Sequence, residues 1–296
     1  MDACMLCPRR CGVDRSTGAY GFCGAPYDFR VARIALHPWE EPCISGTRGS
    51  GTVFFSGCNL QCVYCQNRTI CRGEVGRSYS EEELLEAMGA LVAEGAHNVN
   101  LVTPTPYAAR LVPLLRRFRE VCKLPIVYNC GGYESVETLR MLRGLVDVYL
   151  PDCKYLDGAR AAAYSQAPDY YEVAEAALAE MLEQVGPPVF DEDGLLRRGV
   201  LLRHLVLPGG RKDSIALLER LYARFGNRAF RLSLMNQYTP DFAFDAPDPV
   251  LRRRVTSFEY CSVAEVAQRL DFLGYFQERT AVGAAYTPDF ENEVLP

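Results

Sequence analysis

Gly51-Thr52-Val53-Phe54-Phe55-Ser56-Gly57-Cys58-Asn59-Leu60-Gln61-Cys62-Val63-Tyr64-Cys65-Gln66-Asn67 is the stretch that decides the fold. Its first six residues are a short, mostly apolar run of the kind that forms a strand buried on both faces. Gly57 follows, and then three thiols at Cys58-x3-Cys62-x2-Cys65 on one loop. Five further runs of the same kind lie downstream: Val99 to Val102, Pro125 to Tyr128, Val146 to Leu150, Val200 to Leu207 and Phe230 to Leu234. Helical patterns separate them. Ser80-Glu81-Glu82-Glu83 is a capping box, and Leu84, Leu85, Met88, Leu91 and Val92 then mark one face of a helix running to Glu94. Pro106 to Cys122, Ser135 to Arg143, Tyr171 to Val185 and Ser214 to Phe225 repeat the pattern. Six strand and helix alternations predict parallel βαβ units with right-handed crossovers. The fold class is therefore α/β, a partial (β/α)6 TIM-type barrel two units short of closure, with its chemistry at the C-terminal ends of the strands.

Around this barrel, assigned to residues 47–236, two flanking segments read differently. Residues 1–46 are rich in Cys, Gly, Pro and Arg without sustained periodicity, which predicts a small Cys-rich module folded around metal ligands. Residues 237–296 form a C-terminal extension with one helical pattern, Val263 to Leu273, expected to cover the barrel mouth or flank.

The 296-residue chain is 49% apolar, enough for a substantial core, and its net charge of -5 argues against nucleic acid as a partner. No run of eighteen apolar residues is present, and Met1 to Arg10 carries cysteines and arginines where a signal peptide needs an apolar stretch. The expectation is a cytoplasmic protein with no membrane association. Thirteen cysteines in a reducing compartment point to metal or cluster ligation, and their two groupings point to two sites.

Three thiolates on the loop suit a [4Fe-4S] cubane whose fourth iron is left open. The amino and carboxylate groups of S-adenosylmethionine can chelate such an iron, and reductive cleavage then yields methionine and a 5'-deoxyadenosyl radical. A zinc site with Cys71 as fourth ligand is the plainer alternative. On these residues the stretch resembles the radical S-adenosylmethionine (radical SAM) superfamily. Tyr64 matches the aromatic position whose backbone faces the adenine in that family.

The resemblance continues along the chain. Residues 51 to about 236 resemble the core of pyruvate formate-lyase activating enzymes. Cys7-Pro8-Arg9-Arg10-Cys11 and His37-Pro38-Trp39-Glu40-Glu41-Pro42-Cys43 resemble a branch related to them. Where the superfamily carries a Gly-Gly-Glu-type segment for the methionine amino group, this chain has Thr103-Pro104-Thr105-Pro106, whose hydroxyls and carbonyls offer acceptors without a carboxylate. Asn129 matches a polar cofactor-facing position, and Asp152 and Lys154 match an Asp-x-Lys signature. The resemblance implies that this pair holds the cofactor carboxylate, the aspartate through a monovalent cation; the bland reading is a surface ion pair. Arg203 matches an arginine that forks onto a carboxylate. His204, facing away from Arg203 by alternation, reads as a packed histidine. Asn236-Gln237-Tyr238 forms a polar cap after the last strand.

Cys4, Cys7, Cys11 and Cys23 give four thiolates within twenty residues, enough for a zinc site or a second iron-sulfur cluster. A cluster would serve as an electron relay, and zinc would be structural. The leading functional reading is an enzyme generating the deoxyadenosyl radical, reduced by a donor such as flavodoxin or ferredoxin. It would abstract hydrogen from a substrate such as a glycyl-radical-enzyme-type protein. The alternatives are a radical SAM enzyme acting on a small molecule or nucleic acid, and a non-catalytic iron-sulfur or zinc carrier.

Overall fold

A computed structural model describes residues 4–277. Ten strands make one sheet: β1 Phe29–His37, β2 Ser50–Phe55, β3 Arg77–Tyr79, β4 Val99–Val102, β5 Ile126–Cys130, β6 Val148–Pro151, β7 Val189–Phe190, β8 Leu196–Leu205, β9 Arg231–Met235 and β10 Gly274–Phe276. The order is β10-β9-β8-β6-β5-β4-β2-β1-β3, with β7 hung on β8. From β2 through β10 every step along this path is parallel, whereas β1 joins β2 and β3 antiparallel. The sheet does not close on itself, and it has the architecture expected of a partial TIM-type barrel.

Eight helices accompany it among the described residues: α1 Pro42–Ser45, α2 Glu81–Ala93, α3 Ala108–Val121, α4 Val136–Met141, α5 Gly158–Ser165, α6 Tyr170–Val185, α7 Arg211–Phe225 and α8 Ser257–Arg269. The Ser80 capping box forms as its sequence dictates, with Ser80 Oγ accepting from Glu83 N–H and Glu83 accepting from Ser80 N–H. α8 starts six residues before the apolar pattern that announced it, because Thr256 and Glu259 form a second capping box.

Two features lie outside the six-unit reading. β1 belongs to the stretch read as a metal-binding module, yet it is stitched to β2 from Val31↔Phe55 to His37↔Ser50. Its Arg30 and Arg33 mask the alternation of Phe29 and Val31, and only pairing with β2 makes it a strand. β10 extends the parallel series beyond β9.

Period-two alternation divides the strands into two environments. The outward residues Ile126 and Tyr128 of β5, Tyr149 of β6 and Val200 and Leu202 of β8 join the main core against helices that bring Leu115, Phe118, Met181 and Leu221. The inward residues form two layers. Val127, Val148, Leu150 and Leu201 pack on Cys43 and Ile44, so the β1–β2 connection plugs the bottom of the barrel with apolar side chains. Two residues further along three of these strands the inward positions are Asn129, Asp152 and Arg203, so the upper layer is polar.

Candidate active site

One cavity of about 210 Å³ opens at the C-terminal ends of the strands. Cys58, Cys62, Tyr64 and Cys65 line one side of it, and Asn129, Asp152, Lys154 and Arg203 line the other. These residues come from β2, β5, β6 and β8, and the fold alone brings them together. Thr103 also borders the cavity, with a left-handed backbone (φ 58) unusual for a β-branched residue and its N–H on Asn129 O at 2.8 Å. Thr105 goes elsewhere. It is 1% exposed and its hydroxyl donates to Glu134 Oε1 at 2.7 Å, away from this cavity.

The cysteine loop is held on several sides. Gly57 N–H donates to Ile70 O (2.7 Å), Cys58 N–H to Cys23 O (3.2 Å), and Val63 N–H to Tyr164 O (2.9 Å). Ser165 Oγ donates to Cys62 Sγ at 3.0 Å and is joined to Tyr155 OH (2.8 Å), which meets Tyr64 OH (2.5 Å). With Ser165 spending its proton on the sulfur, Tyr155 donates to Ser165 and Tyr64 to Tyr155. Cys71 stands 3.5 Å from Cys65 Sγ and 3.3 Å from Asn67 O. Hydrogen bonding from Cys71 draws Cys58 down to about 6 against the effect of burial, whereas burial pushes Cys62 up to about 12. Among the described residues no three Cys, His, Asp or Glu side chains are gathered as for a single metal ion.

On the opposite wall Asp152 sits between two cations, with Lys154 Nζ on Oδ2 (2.5 Å) and Arg203 Nε on Oδ1 (2.9 Å). Burial works against charge on all three. The two cations outweigh it at Asp152, whose carboxyl is held below its usual range. Asp152 in turn keeps Lys154 well above its own range. This is a part-buried, mutually dependent set on the cavity wall and not a surface ion pair. Gly132 permits it: with φ +80 it passes so close to β6 that a Cβ would lie 2.1 Å from Asp152 O.

Arg203 also donates to Asn129 Oδ1 at 2.6 Å and to Glu40 Oε2 at 3.4 Å, while Glu40 Oε1 accepts from Asn100 Nδ2 (3.2 Å) and Asn129 Nδ2 (3.3 Å). Burial raises Glu40, and Arg203 opposes that shift. Glu40, His37 and Trp39 line the cavity, and sequence reading assigned none of them. The available signal was Glu40-Glu41 between Pro38 and Pro42, two acids adjoining the residues that plug an apolar barrel. Gln237 and Tyr238 of the polar cap reach the cavity, joined by Thr239 and Phe242, so the chain after β9 covers part of the mouth. His204 does not reach it. Both its ring nitrogens are engaged, with Cys153 O (2.6 Å) and Ser214 Oγ (2.8 Å), in a fully buried setting.

The N-terminal cysteines meet at a second place. Cys4, Cys7, Cys11 and Cys23 line one enclosed void with Arg9, Arg15, Asn59 and Thr105. All thirteen cysteines are free thiols. No helix among the described residues is long and apolar enough to cross a membrane.

The chain is 28% identical over 277 residues to the uncharacterized protein MJ0674 of Methanocaldococcus jannaschii, covering 90% of this chain and 74% of that one. Among solved structures it resembles methylornithine synthase (PylB) at 19% identity and a TM-score of 0.46, over 73% of this chain and 63% of the synthase, less than two thirds of its length. The description "Radical SAM superfamily" matches residues 52–184, a span that includes the cysteine loop, Asn129, Asp152 and Lys154. Residues 52–184, somewhat under half of the chain, are thus similar to a radical SAM superfamily domain.

Proposed function

We propose that Cys58, Cys62 and Cys65 hold the [4Fe-4S] cluster and that the facing wall binds S-adenosylmethionine for reductive cleavage. The observation that carries this reading is the shared cavity, in which three thiols oppose Asn129, Asp152, Lys154 and Arg203. The donor set fits the groups. Three sulfurs come from one loop, and the buried Oδ1 of Asn67 on the same wall has no partner. When bound, the cluster and cofactor supply the electron and the deoxyadenosyl radical that abstracts hydrogen from a substrate.

The chain's own residues bind and orient. Lys154 and Arg203 present charge-assisted donors to the cofactor carboxylate, and Asp152 keeps both cations in place, with or without a monovalent cation of its own. Thr103 offers its carbonyl and hydroxyl to the methionine amino group, and Glu40 provides the carboxylate that the strand end lacks by fixing Asn129 and Arg203 from below. Tyr64 lies along the adenine side, where its ring meets Tyr238 edge-on at 6.1 Å. The unclosed sheet and Trp39, 59% exposed at the rim, favour a polypeptide segment as the hydrogen donor. A ferredoxin- or flavodoxin-type protein of the reducing cytoplasm supplies electrons.

Anaerobic reconstitution tests the assignment. Reduced wild-type protein with S-adenosylmethionine is expected to release 5'-deoxyadenosine, and the Cys58→Ala/Cys62→Ala/Cys65→Ala variant to release none. A triple variant that still gave a reduced-cluster spectrum altered by S-adenosylmethionine would overturn it.

A further inference from the structure

From the N-terminal void we infer that Cys4, Cys7, Cys11 and Cys23 bind a second [4Fe-4S] cluster, through which electrons enter the radical site by way of Cys23 and Cys58. The electron-entry part rests on the function proposed above. The metal assignment does not.

Four observations carry it. The void that the four cysteines line admits a water-sized sphere. A zinc ion about 2.3 Å from four sulfurs leaves no such space between them, whereas a cubane, whose irons stand apart around inorganic sulfide, needs it. The surroundings match the charge. Four thiolates on a cluster carry net negative charge, and Arg9 and Arg15 both border the void.

The third observation is contact with the radical-site loop. Cys23 O accepts from Cys58 N–H at 3.2 Å, so a ligand of one site is one hydrogen bond from a ligand of the other. Gly57 makes that approach possible, because a Cβ there would lie 2.9 Å from Cys23 O. Arg9 Nε donates to Asn59 O (2.8 Å), and Gln61 Nε2 donates to Phe22 O (2.6 Å), so the same segment is clamped at two more points. The fourth is access: Arg10 and Tyr20 are exposed on this module, so an external electron-carrier protein can reach the segment that bears the four cysteines. One electron leaves the external donor, reduces the N-terminal centre, and is passed on to the centre at Cys58, Cys62 and Cys65. The relay ends each cycle unchanged, and the donor is oxidised by one electron.

The test uses the full chain with its metals. Anaerobically purified wild type is expected to hold about eight irons, the Cys7→Ser/Cys11→Ser variant about four, and the Cys58→Ala/Cys62→Ala/Cys65→Ala variant about four. Electron paramagnetic resonance of the reduced proteins should show two signals, of which S-adenosylmethionine alters only the one lost with Cys58, Cys62 and Cys65. With ferredoxin or flavodoxin as donor, Cys7→Ser/Cys11→Ser should lose at least tenfold in 5'-deoxyadenosine, while dithionite, which reaches the radical site without a relay, should restore most of it. Zinc in place of iron in the triple variant would overturn the metal assignment. Equal losses with both donors, with the radical-site signal intact, would overturn the electron route. An N-terminal cluster present with no S-adenosylmethionine response anywhere would leave this metal site standing and defeat the proposed function instead.

Discussion

Arg203 and Glu40 lie 163 residues apart in the chain and meet in the polar layer of the barrel, Nη1 to Oε2 at 3.4 Å. The contact joins the plugging segment after β1 to the end of β8, and it puts a carboxylate beside the arginine that is proposed to grip the cofactor. Replacing Glu40 with Ala takes the shared acceptor from Asn100 and Asn129 and one of two carboxylates from Arg203, which keeps Asp152, and leaving such groups unsatisfied costs about 1–3 kcal/mol. Glu40→Gln retains one acceptor and should cost less. Denaturant unfolding should rank wild type above Gln above Ala, with 5'-deoxyadenosine yield falling in the same order. Equal stability and yield for all three would make Glu40 a passive filler.

At Asp152 and Lys154, single substitutions should spare the cluster and weaken the cofactor. A charged contact is worth about 1.5 to 3 kcal/mol, which corresponds to roughly ten- to hundredfold in affinity. Each single change also leaves buried charge unpaired, so Asp152→Asn/Lys154→Met should be more stable than the two single losses summed. Iron content, S-adenosylmethionine affinity and unfolding free energy are the readouts. Full affinity in both single variants would reduce the pair to a structural role.

Ser165→Ala removes the hydroxyl that donates to Cys62 Sγ. Hydrogen bonds to cluster sulfur stabilise the reduced, more negative state, so their loss should move the reduction potential to a more negative value. Potentiometric titration of the anaerobic protein reads this directly. An unchanged or more positive midpoint would mean that the Tyr64, Tyr155 and Ser165 chain only packs the loop.

Glu134 is buried with its carboxylate on Thr105 and Tyr128, and burial raises it from 4.5 to about 8. A carboxyl raised in the folded state contributes full stability below about pH 4.5 and loses it progressively as pH climbs to about 8. At pH 7 the unfolded chain has gained roughly 2.5 pH units of ionisation, about 3 kcal/mol in its favour. Glu134→Gln should flatten that slope and make the protein more stable than wild type at pH 8. Unfolding curves between pH 5 and 8 with parallel slopes would contradict the shift.

Local sequence was sufficient for the elements whose signals are local. Six short, mostly apolar runs separated by helical patterns, a capping box at Ser80 and a three-cysteine loop directly after a strand determined the parallel barrel and the side on which its chemistry lies, because run length, helical period and cap hydrogen bonds involve only neighbouring residues. Cys58, Cys62 and Cys65 stood out for the same reason, being three thiols on one short loop. Tertiary structure decided the rest. β1 is a strand only because β2 pairs with it, and Glu40 faces the cavity only because the turn after β1 folds back under the barrel. Thr105 turns to Glu134 instead of the cavity, a choice made by a partner 29 residues away. The Cys23 to Cys58 hydrogen bond, Asp152 between Lys154 and Arg203, and the N-terminal void each depend on contacts across many residues. No window of sequence contains both partners, so burial and hydrogen-bond satisfaction, not propensity, determine them.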